Sequence, residues 1–573
     1  MKSRIKVFLL LLGFSVVVPT SNLFGQTGTA KDPSRVFVPI IIRGTVIGGD
    51  GQRPILAHAH FGKYNGNPRL SKTYECSIDG VFEITVPDAG FYTLRVSAVD
   101  HEELTIPLFL QASDKTVELT VQLKSNPVDN DLSKLAIVGD WNNFDWSNAQ
   151  TLSAIKSADG HTIYTGQRTA TGDTISYQIL NLSNGRSVNG QMSDYYVYDG
   201  TGDYRSVYRT KRGKKLAITF DPRNYIYPKN DNLPIVTVKN RNDRSDMFLQ
   251  KSVALLMELD AMRKAAMVMS TQGGPVTMSS AKVREMGEFV KADFQKEIDS
   301  GDTLSAQFAG VVRASQYTPN SISFGSDQAS LILNTVPANS PFWTMASSEA
   351  WTLSGVVDPS FGNEYRKGLE SNPERSVRAT AFCYEMEMAH DAKNDKEWKR
   401  LYEIVKNDYG EEPMSKYALI EYNPDAVVMV GKHVPGFEVS TLGSSQKVSD
   451  KSMLGKYYMI DFWATWCGPC VGEMASMHSA YEKFKGKKGF EIVSLSMDAA
   501  ENKIAPFRSK WKMPWVHAFI PGIWDAELAK KFEVASIPKP ILVGPDGTIV
   551  AMAESLRGDE LEKTLSKYLG TGD

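Results

Sequence analysis

The sequence predicts a multidomain chain with two N-terminal β-sandwich-like modules, a helical middle region and a C-terminal α/β domain. Three changes of pattern indicate this order. Up to about residue 221, short β-branched and aromatic runs alternate with Gly and Asp turns, which is typical of antiparallel strands. Apolar residues then recur at helical spacings to about residue 425, and strands alternate with helices beyond it. The 573 residues are 42% hydrophobic, which is enough for several cores.

The charge balance argues against partners that bind through a large net positive or net negative charge. Lys and Arg number 64 against 66 Asp and Glu, so the formal net charge is −2. A nearly neutral chain has no global attraction for nucleic acid or for an anionic membrane. Partners must therefore be recognised by local sites.

The first 25 residues show the three regions of a secretory signal peptide. Lys2, Arg4 and Lys6 precede the apolar run Val7–Val18, and small residues follow near Gly25. A membrane anchor is the alternative, but about 30 Å of hydrocarbon needs about 20 apolar residues, and this run is shorter. We therefore expect export to the periplasm or cell envelope of a bacterium.

Residues from about 36 to 125 predict the first β-sandwich. The patterns RGTV and DGVFEITVPDAGFYTLRV resemble carboxypeptidase-regulatory-like modules of exported bacterial proteins, which implies a small antiparallel sandwich. His58 and His60 would lie on one face of a strand. Because no third ligand is in view, we expect a solvated strand there and not a metal site.

Residues from about 132 to 221 predict the second β-sandwich. The phrase GDWNNFDW resembles the start of glycogen-binding-like modules, in which exposed aromatic rings stack on sugars. The resemblance implies a glycan site at Trp141 and Trp146. The alternative is that both tryptophans pack in the sandwich core, because tryptophan is highly buried on average.

Residues from about 222 to 425 predict a helical domain, since Leu255, Leu259 and Met262 recur at spacings of four and three. Such a methionine-rich stripe can bind partners, although core packing is its commoner use. Four cysteines are too few for a disulfide framework in so long a chain. Cys76 and Cys383 are isolated in the sequence, and we expect Cys383 to be a small buried side chain within a helix.

Residues from about 431 to 573 predict the α/β domain, and its first buried strand runs directly into WCGPC. A cysteine at the start of a helix meets unpaired amide N–H groups and the positive end of the dipole, which stabilise a thiolate on Cys467. Pro469 fits the first helical turn, Gly468 leaves the approach to the sulfur open, and Cys470 follows one turn later. We expect Cys467 to attack and Cys470 to resolve.

The cysteine pair has two alternative uses. A structural zinc site would need four ligands, but the other cysteines are isolated, and His478 lies too far along the helix from Cys470. We therefore expect no metal. A purely structural disulfide is the second alternative.

The stretch DFWATWCGPC is similar to thioredoxins and to the TlpA/ResA-like thiol-disulfide oxidoreductases. The resemblance implies a thioredoxin-like fold over about residues 431 to 573, with an extra N-terminal hairpin. It also implies that Asp461 assists proton transfer at Cys470, although an ordinary strand-end carboxylate is the alternative. Substrate-binding residues implied by the motif are Trp466, Gly468, Pro469, Ile537 and the cis-proline Pro538.

Two positions depart from the thioredoxin pattern. Ser494 stands where thioredoxins have a lysine beside the buried acid, and Lys539 replaces the threonine that follows the cis-proline. TlpA/ResA-like proteins often lack an acid at the position of Asp461, so the sequence mixes the two patterns.

The expected activity is reduction of envelope-protein disulfides through a mixed disulfide at Cys467, with no cofactor beyond the Cys467–Cys470 pair. An exported reductase needs electrons from outside its compartment, so the resemblance implies a membrane donor of the DsbD or CcdA type. The opposite direction uses the same residues. A binding protein for glycans or envelope proteins with an accessory redox domain is the alternative function. Peroxide reduction is disfavoured because Thr465 stands two residues before Cys467, whereas the peroxiredoxin pattern has three.

Overall fold

The computed structural model describes residues 39–49, 51–63, 72–125, 132, 135–144, 146, 149–181, 186–200, 203–224, 235–239, 243–268, 277–316, 324–444 and 446–570. The predicted signal peptide lies outside these residues. The chain divides between Glu374 and Arg375 into two compact units, which we call unit 1 and unit 2. A search of the described helices finds none with the length and apolar character that crossing a bilayer requires.

The first β module contains two sheets that share one hydrophobic core. Its strands are β1 (Ile40–Ile47), β2 (Ala57–Lys63), β3 (Lys72–Glu75), β4 (Val81–Val86), β5 (Gly90–Ala98), β6 (Leu104–Leu110) and β7 (Thr116–Gln122). A further strand, β17 (Ile235–Lys239), joins the first sheet, whose order is β17, β7, β1, β4. The second sheet has the order β3, β2, β5, β6. In β4 buried residues alternate with exposed ones, because its inner face packs in the core.

Two expectations for this module need correction. The sandwich is not wholly antiparallel, because β1 pairs with β7 in parallel. The chain crosses between the sheets before it reaches β7, so no short hairpin imposes the antiparallel direction. The expected solvated strand at His58 and His60 is also wrong, since both side chains are buried. Both rings stack on Tyr198, which comes from the second module.

The second β module also has two main sheets around a shared core. Its strands are β8 (Leu135–Gly139), β9 (Gln150–Thr151), β10 (Ser153–Lys156), β11 (Thr162–Thr169), β12 (Thr174–Asn181), β13 (Arg186–Val188), β14 (Tyr195–Tyr198), β15 (Tyr204–Arg209) and β16 (Lys215–Phe220). One sheet has the order β10, β11, β16, and the other has β14, β15, β12, β8, β9, with β13 paired to β12. Leu216, Ile218 and Phe220 of β16 pack against residues of β8 and β12.

The middle of the chain is mainly helical. Its helices are α1 (Asp243–Ala266), α2 (Ser280–Asp299), α3 (Thr303–Ala314), α4 (Ser326–Thr335), α5 (Ser347–Ser354), α6 (Pro359–Glu370), α7 (Arg375–Asp391), α8 (Asp395–Tyr409) and α9 (Pro413–Glu421). The short strands β18 (Met267–Val268) and β19 (Thr277–Met278) pair after α1. The sequence predicts helix over this region, yet β17 lies within it and pairs with β7. Helices α1 to α6 belong to unit 1, and α7 to α9 belong to unit 2.

The C-terminal domain of unit 2 is an α/β fold around one sheet. Its strands are β20 (Glu438–Ser440), β21 (Lys447–Ser449), β22 (Tyr458–Trp463), β23 (Glu491–Ser496), β24 (Val516–Phe519), β25 (Lys539–Val543) and β26 (Ile549–Met552). Its helices are α10 (Gly468–Gly472), α11 (Met474–Phe484), α12 (Ile504–Trp511), α13 (Glu527–Lys531) and α14 (Gly558–Leu569). The sheet order is β24, β23, β22, β25, β26, and β20 pairs with β21 as a separate hairpin.

The central strand β22 is buried along its whole length. It pairs in parallel with β23 and in antiparallel with β25, so neighbouring strands cover both of its edges. Met459 and Trp463 pack in a core with α11 and α14, whereas Ile460 and Phe462 pack in a core with α13 and the hairpin. Because both faces of the strand are buried, its sequence YMIDFW is almost wholly apolar, and Asp461 is its one charged residue.

Candidate active site

The cysteine pair lies where β22 ends and α10 begins. Cys467 is the residue that caps α10, and its Sγ accepts a hydrogen bond from the backbone N–H of Cys470 at 3.1 Å. Pro469 occupies the first turn of the helix, where a missing N–H leaves no hydrogen bond unmade. Cys467 and Cys470 are joined in a disulfide. Reduction would leave the Cys467 sulfur beside the same N–H donor, a setting that favours a thiolate.

The segment before β25 approaches the first sulfur from another part of the chain. The Ile537–Pro538 peptide bond is cis, as the resemblance implies. The carbonyl oxygen of Ile537 lies 3.7 Å from Cys467 Sγ. Cys467 is 5% exposed and Cys470 is 1% exposed, so a partner meets the first sulfur before the second.

Asp461 lies on β22 and is buried. Burial raises the pKa of its carboxyl group to about 7, and this effect exceeds the opposing hydrogen bond from Ser494. The Ser494 hydroxyl donates to Asp461 Oδ2 at 3.2 Å and accepts a bond from Trp515 Nε1 at 2.9 Å. Ser494 stands where thioredoxins have a lysine. It therefore gives Asp461 a neutral hydrogen bond and no positive charge.

A small cavity of about 10 Å³ connects Asp461 with Cys470 and Pro538. That volume is about the room that one water molecule needs. Glu473 and Arg557 line the same cavity. A carboxyl group with a pKa near neutrality beside the second sulfur has the placement and the proton affinity of a general base.

Glu473 is a residue of this site that sequence reasoning missed. Its carboxylate accepts bonds from Arg557 Nε at 3.1 Å and from the backbone N–H of Gly558 at 2.8 Å. Its charge raises the pKa of Asp461, and Arg557 acts in the opposite direction. The one available signal was its position three residues after Cys470, on the same side of the helix.

The comparisons with known proteins concern this domain. Residues 455–549 match the model of a family described as thioredoxin-like. The thiol-disulfide oxidoreductase ResA of Bacillus thuringiensis subsp. konkukian is 31% identical over 140 residues, which are 24% of this chain and 76% of that protein. The chain belongs to the ResA-like thiol-disulfide oxidoreductases. It does so through its C-terminal domain, and its enzymatic class, thiol-disulfide oxidoreductase, follows from that domain.

Further similarities cover the same quarter of the chain. The tryparedoxin of Trypanosoma brucei brucei is 36% identical over 123 residues, which are 21% of this chain and 83% of that protein. A solved thioredoxin domain of a thiol-disulfide oxidoreductase from Bacteroides vulgatus is 30% identical, with a TM-score of 0.23, and covers 25% of this chain and 98% of its own. A thiol:disulfide interchange protein from Bacteroides sp. is 29% identical, with a TM-score of 0.23. The match covers 26% of this chain and 95% of that protein.

Three of the remaining predicted contact residues are next to Cys467 in the chain, and the fourth, Ile537, precedes the cis-proline. Trp466 is 48% exposed, and Gly468 and Pro469 are exposed as well. A Cβ on Gly468 would meet no atom within 4 Å, so the approach to the sulfur is open at this position. Ile537 is partly buried beside both domain cores.

Lys539 is the second departure from the thioredoxin pattern, and its side chain is bonded to the backbone near α13. Its ammonium group donates to the backbone carbonyl of Glu533. Burial lowers the pKa of Lys539, and the charges of Glu421 and Glu533 oppose that shift. The side chain therefore links the cis-proline segment to the end of α13.

The two remaining cysteines belong to different units, Cys76 to unit 1 and Cys383 to unit 2. Cys76 and Cys383 are free and buried, and burial raises the pKa of each thiol to about 12. The prediction that Cys383 is a small buried side chain within a helix is confirmed. In the part of the chain that the structure describes, no group of three or more His, Cys, Asp or Glu side chains could hold a metal ion.

The two tryptophans of the second module differ in exposure. Trp141 packs against the sandwich core, and the guanidinium of Arg168 lies 4.6 Å above its ring. Trp146 is 40% exposed. The glycan site at Trp141 and Trp146 stays a prediction, with Trp146 the side chain available to solvent.

Proposed function

We propose that this protein is an exported reductase of disulfide bonds in bacterial envelope proteins. One observation carries the proposal: a helix-capping sulfur beside a cis-proline segment is paired with a second sulfur that shares a small cavity with a buried carboxyl group. This arrangement supports attack by Cys467 and resolution by Cys470. Such an asymmetric pair suits transfer of two electrons to a disulfide.

The first step forms a mixed disulfide. The Cys467 thiolate attacks one sulfur of the client's S–S bond, that bond breaks, and the second client sulfur leaves as a thiolate that takes a proton from solvent. The backbone N–H of Cys470 supports the attacking thiolate. Trp466 and the Ile537–Pro538 segment flank the place where the client sulfur must lie.

The second step releases the client. Asp461 accepts the proton of the Cys470 thiol, directly or through one water in the shared cavity, and the Cys470 thiolate attacks Cys467 Sγ. The mixed disulfide breaks, the remaining client sulfur leaves and is protonated, and the Cys467–Cys470 disulfide forms. The client has then gained two electrons and two protons.

Continued turnover needs an electron source for the oxidised pair. The signal-like N-terminus supports export, so we propose a membrane donor of the DsbD or CcdA type that reduces Cys467–Cys470 by the same exchange. The reduction potential of the pair relative to its compartment sets the working direction. Reduction is the proposed direction.

A trapping experiment on the full chain tests the proposal. Cys470→Ser should accumulate mixed disulfides through Cys467, because the second step cannot occur. Envelope proteins bound to this variant would be separated without reductant and identified by mass spectrometry. The double variant Cys467→Ser/Cys470→Ser is the matched control and should bind none of them. A Cys470→Ser chain that captures no client, or captures clients through Cys76 or Cys383, contradicts the proposal.

Glycan binding by the second module is a second candidate function, favoured by the exposed indole of Trp146. Trp146→Ala should weaken binding to polysaccharide from the envelope of the bacterium that makes the protein. The rate of disulfide reduction should stay unchanged. Calorimetry on the full chain measures the first effect. Equal affinity of the variant and the natural chain contradicts this function.

A further inference from the structure

Two tryptophans form an exposed aromatic pair beside the reactive sulfur. Trp466 directly precedes Cys467 and is 48% exposed, and Trp524 reaches it from the turn before α13 and is 45% exposed. Their ring centroids are 6.4 Å apart at an interplanar angle of 64°. Large exposed apolar groups in contact mark interaction sites, and tryptophan is a frequent anchor of such sites.

The loop that carries Trp466 is fixed by a buried carboxylate. The backbone N–H of Thr465 lies 3.2 Å from both oxygens of Asp498, and the Thr465 hydroxyl donates to Oδ1 at 2.6 Å. Asp498 in turn accepts from the Ser496 hydroxyl at 2.7 Å. These bonds hold the backbone at Thr465, the residue that directly precedes Trp466.

The turn that carries Trp524 is held in an unusual conformation. Gly522 has φ +106° and Ile523 has φ +53°, a backbone region that β-branched residues seldom adopt. The Asp525 N–H donates to the Gly522 carbonyl at 2.9 Å, and Ala526 is buried in the core immediately afterwards. The backbone thus returns to the core at Ala526 and leaves Trp524 outside.

The chemistry of disulfide exchange determines which molecule contacts the Trp466–Trp524 pair. A client cysteine must form a covalent bond with Cys467 Sγ, so the client chain has to lie against Trp466 and against the Ile537 carbonyl 3.7 Å from that sulfur. The aromatic pair is continuous with the redox site and adds an apolar surface to it. An apolar side chain next to the client cysteine would bury that surface.

We propose that Trp524 is a specificity-determining residue that, together with Trp466, binds a large apolar side chain adjacent to the reacting cysteine of a polypeptide client. The substrate class is thus polypeptide disulfides with aromatic or large aliphatic neighbours. This inference rests on the proposed disulfide exchange at Cys467. It adds the requirement that the domain distinguishes clients by the residue beside the disulfide.

Three disulfide substrates and three variants of the full chain test the inference. Two synthetic peptide disulfides of equal length and charge carry either leucine or glycine next to the cysteine, and hydroxyethyl disulfide serves as a substrate without a peptide. Trp524→Ala should lower kcat/KM for the leucine peptide about tenfold, mainly through KM, and should change the rate with hydroxyethyl disulfide less than about twofold. Trp524→Phe should retain most of the preference for leucine.

Trp511→Ala is the matched control, because Trp511 is also exposed in this domain but stacks on Phe507. It should leave all three rates unchanged. Equal rates of the natural chain with the two peptides, or an equal loss by Trp524→Ala on all three substrates, overturn the role of Trp524 and leave disulfide exchange intact. A natural chain that reduces none of the three substrates overturns both the proposed function and this inference.

Discussion

Cys383 and Cys467 lie in the same compact unit in contrasting settings. Cys383 is in the interior of α7, packed with Met386, Leu401 and Val405, and its Sγ is 3.6 Å from the Ser415 hydroxyl. Burial raises the pKa of its thiol to about 12. Cys467 caps α10 and accepts a hydrogen bond from a backbone N–H.

Exposed area is the smaller of two differences between these cysteines. Cys467 is 5% exposed and Cys383 is 1% exposed, so both count as buried. The difference lies in what each sulfur contacts: apolar side chains disfavour a thiolate, whereas the N–H groups of a helix start favour one. Position relative to a helix end therefore decides which cysteine reacts.

The largest expected effect is on turnover. Cys467→Ser should reduce the rate of disulfide reduction by at least about 10³-fold, because the attacking sulfur is lost. Cys383→Ser should keep the rate within about twofold, since that thiol takes no part in exchange. The assay is reduction of a model protein disulfide by the full chain. Comparable losses of rate in the two variants would contradict the assignment of Cys467 as the reactive cysteine.

Alkylation rates sharpen the same comparison without mutation. In the reduced native protein at pH 7, iodoacetamide should modify Cys467 at least about 10²-fold faster than Cys383. A thiol with a pKa of about 12 is almost entirely protonated at that pH, and the protonated form does not react. Peptide mapping by mass spectrometry over a time course measures both rates. Similar rates in the folded protein would contradict the assignment.

Extending the comparison to Cys470 tests the role of Asp461. The pKa of Asp461 is raised to about 7, so its carboxylate, the form that accepts a proton, becomes populated as the pH rises through about 7. Release of the client from the mixed disulfide should accelerate over that range. Asp461→Asn should remove this dependence and slow release by about 10²-fold at pH 8. Stopped-flow measurement of released client thiol gives both results.

Stability supplies the control for Asp461. A carboxyl whose pKa is higher in the folded state than in the unfolded state binds more protons when folded, so the free energy of unfolding falls as the pH rises from about 4 to about 7. Asp461→Asn should therefore be more stable than the natural chain at pH 8, by a few kcal/mol, and nearly equal at pH 4. Urea unfolding of the oxidised proteins measures the difference. A variant that is less stable at both pH values would indicate a structural role.

The smallest effect is expected at Glu473. Its charge raises the pKa of Asp461, so Glu473→Gln should move the midpoint of client release to lower pH, by less than about one unit, and change the maximal rate only a few-fold. Glu554→Gln is the matched control, because Glu554 also pairs with Arg557, at 3.2 Å, but is exposed. An unchanged midpoint in Glu473→Gln would remove Glu473 from the proton pathway.

The oxidoreductase domain is the part that sequence reasoning predicted best. Its strands are short apolar runs that alternate with helices, and WCGPC lies at a predicted junction of strand and helix, as found. The predicted extra hairpin corresponds to β20 and β21. These features depend on neighbouring residues, so the local pattern contains them.

Features that depend on distant residues could not be predicted. Nothing near Glu473 indicates that Arg557 and Gly558 will meet its carboxylate. Two histidines at alternate positions indicate a common face, but only the packing of Tyr198 from another module makes that face buried. The exposed pair of Trp466 and Trp524 likewise joins two segments that are separate in the sequence.

Strand β17 constrains the order in which the chain can fold during synthesis. It covers the edge of β7, and Leu249 and Val253 of α1 pack in the core of the same module, yet all of these residues follow the second sandwich. The ribosome therefore releases β7 with one edge unpaired, and it stays so until the later segment emerges. We expect a fragment that ends after β7 to self-associate through that edge, whereas a fragment that extends through α1 should stay monomeric.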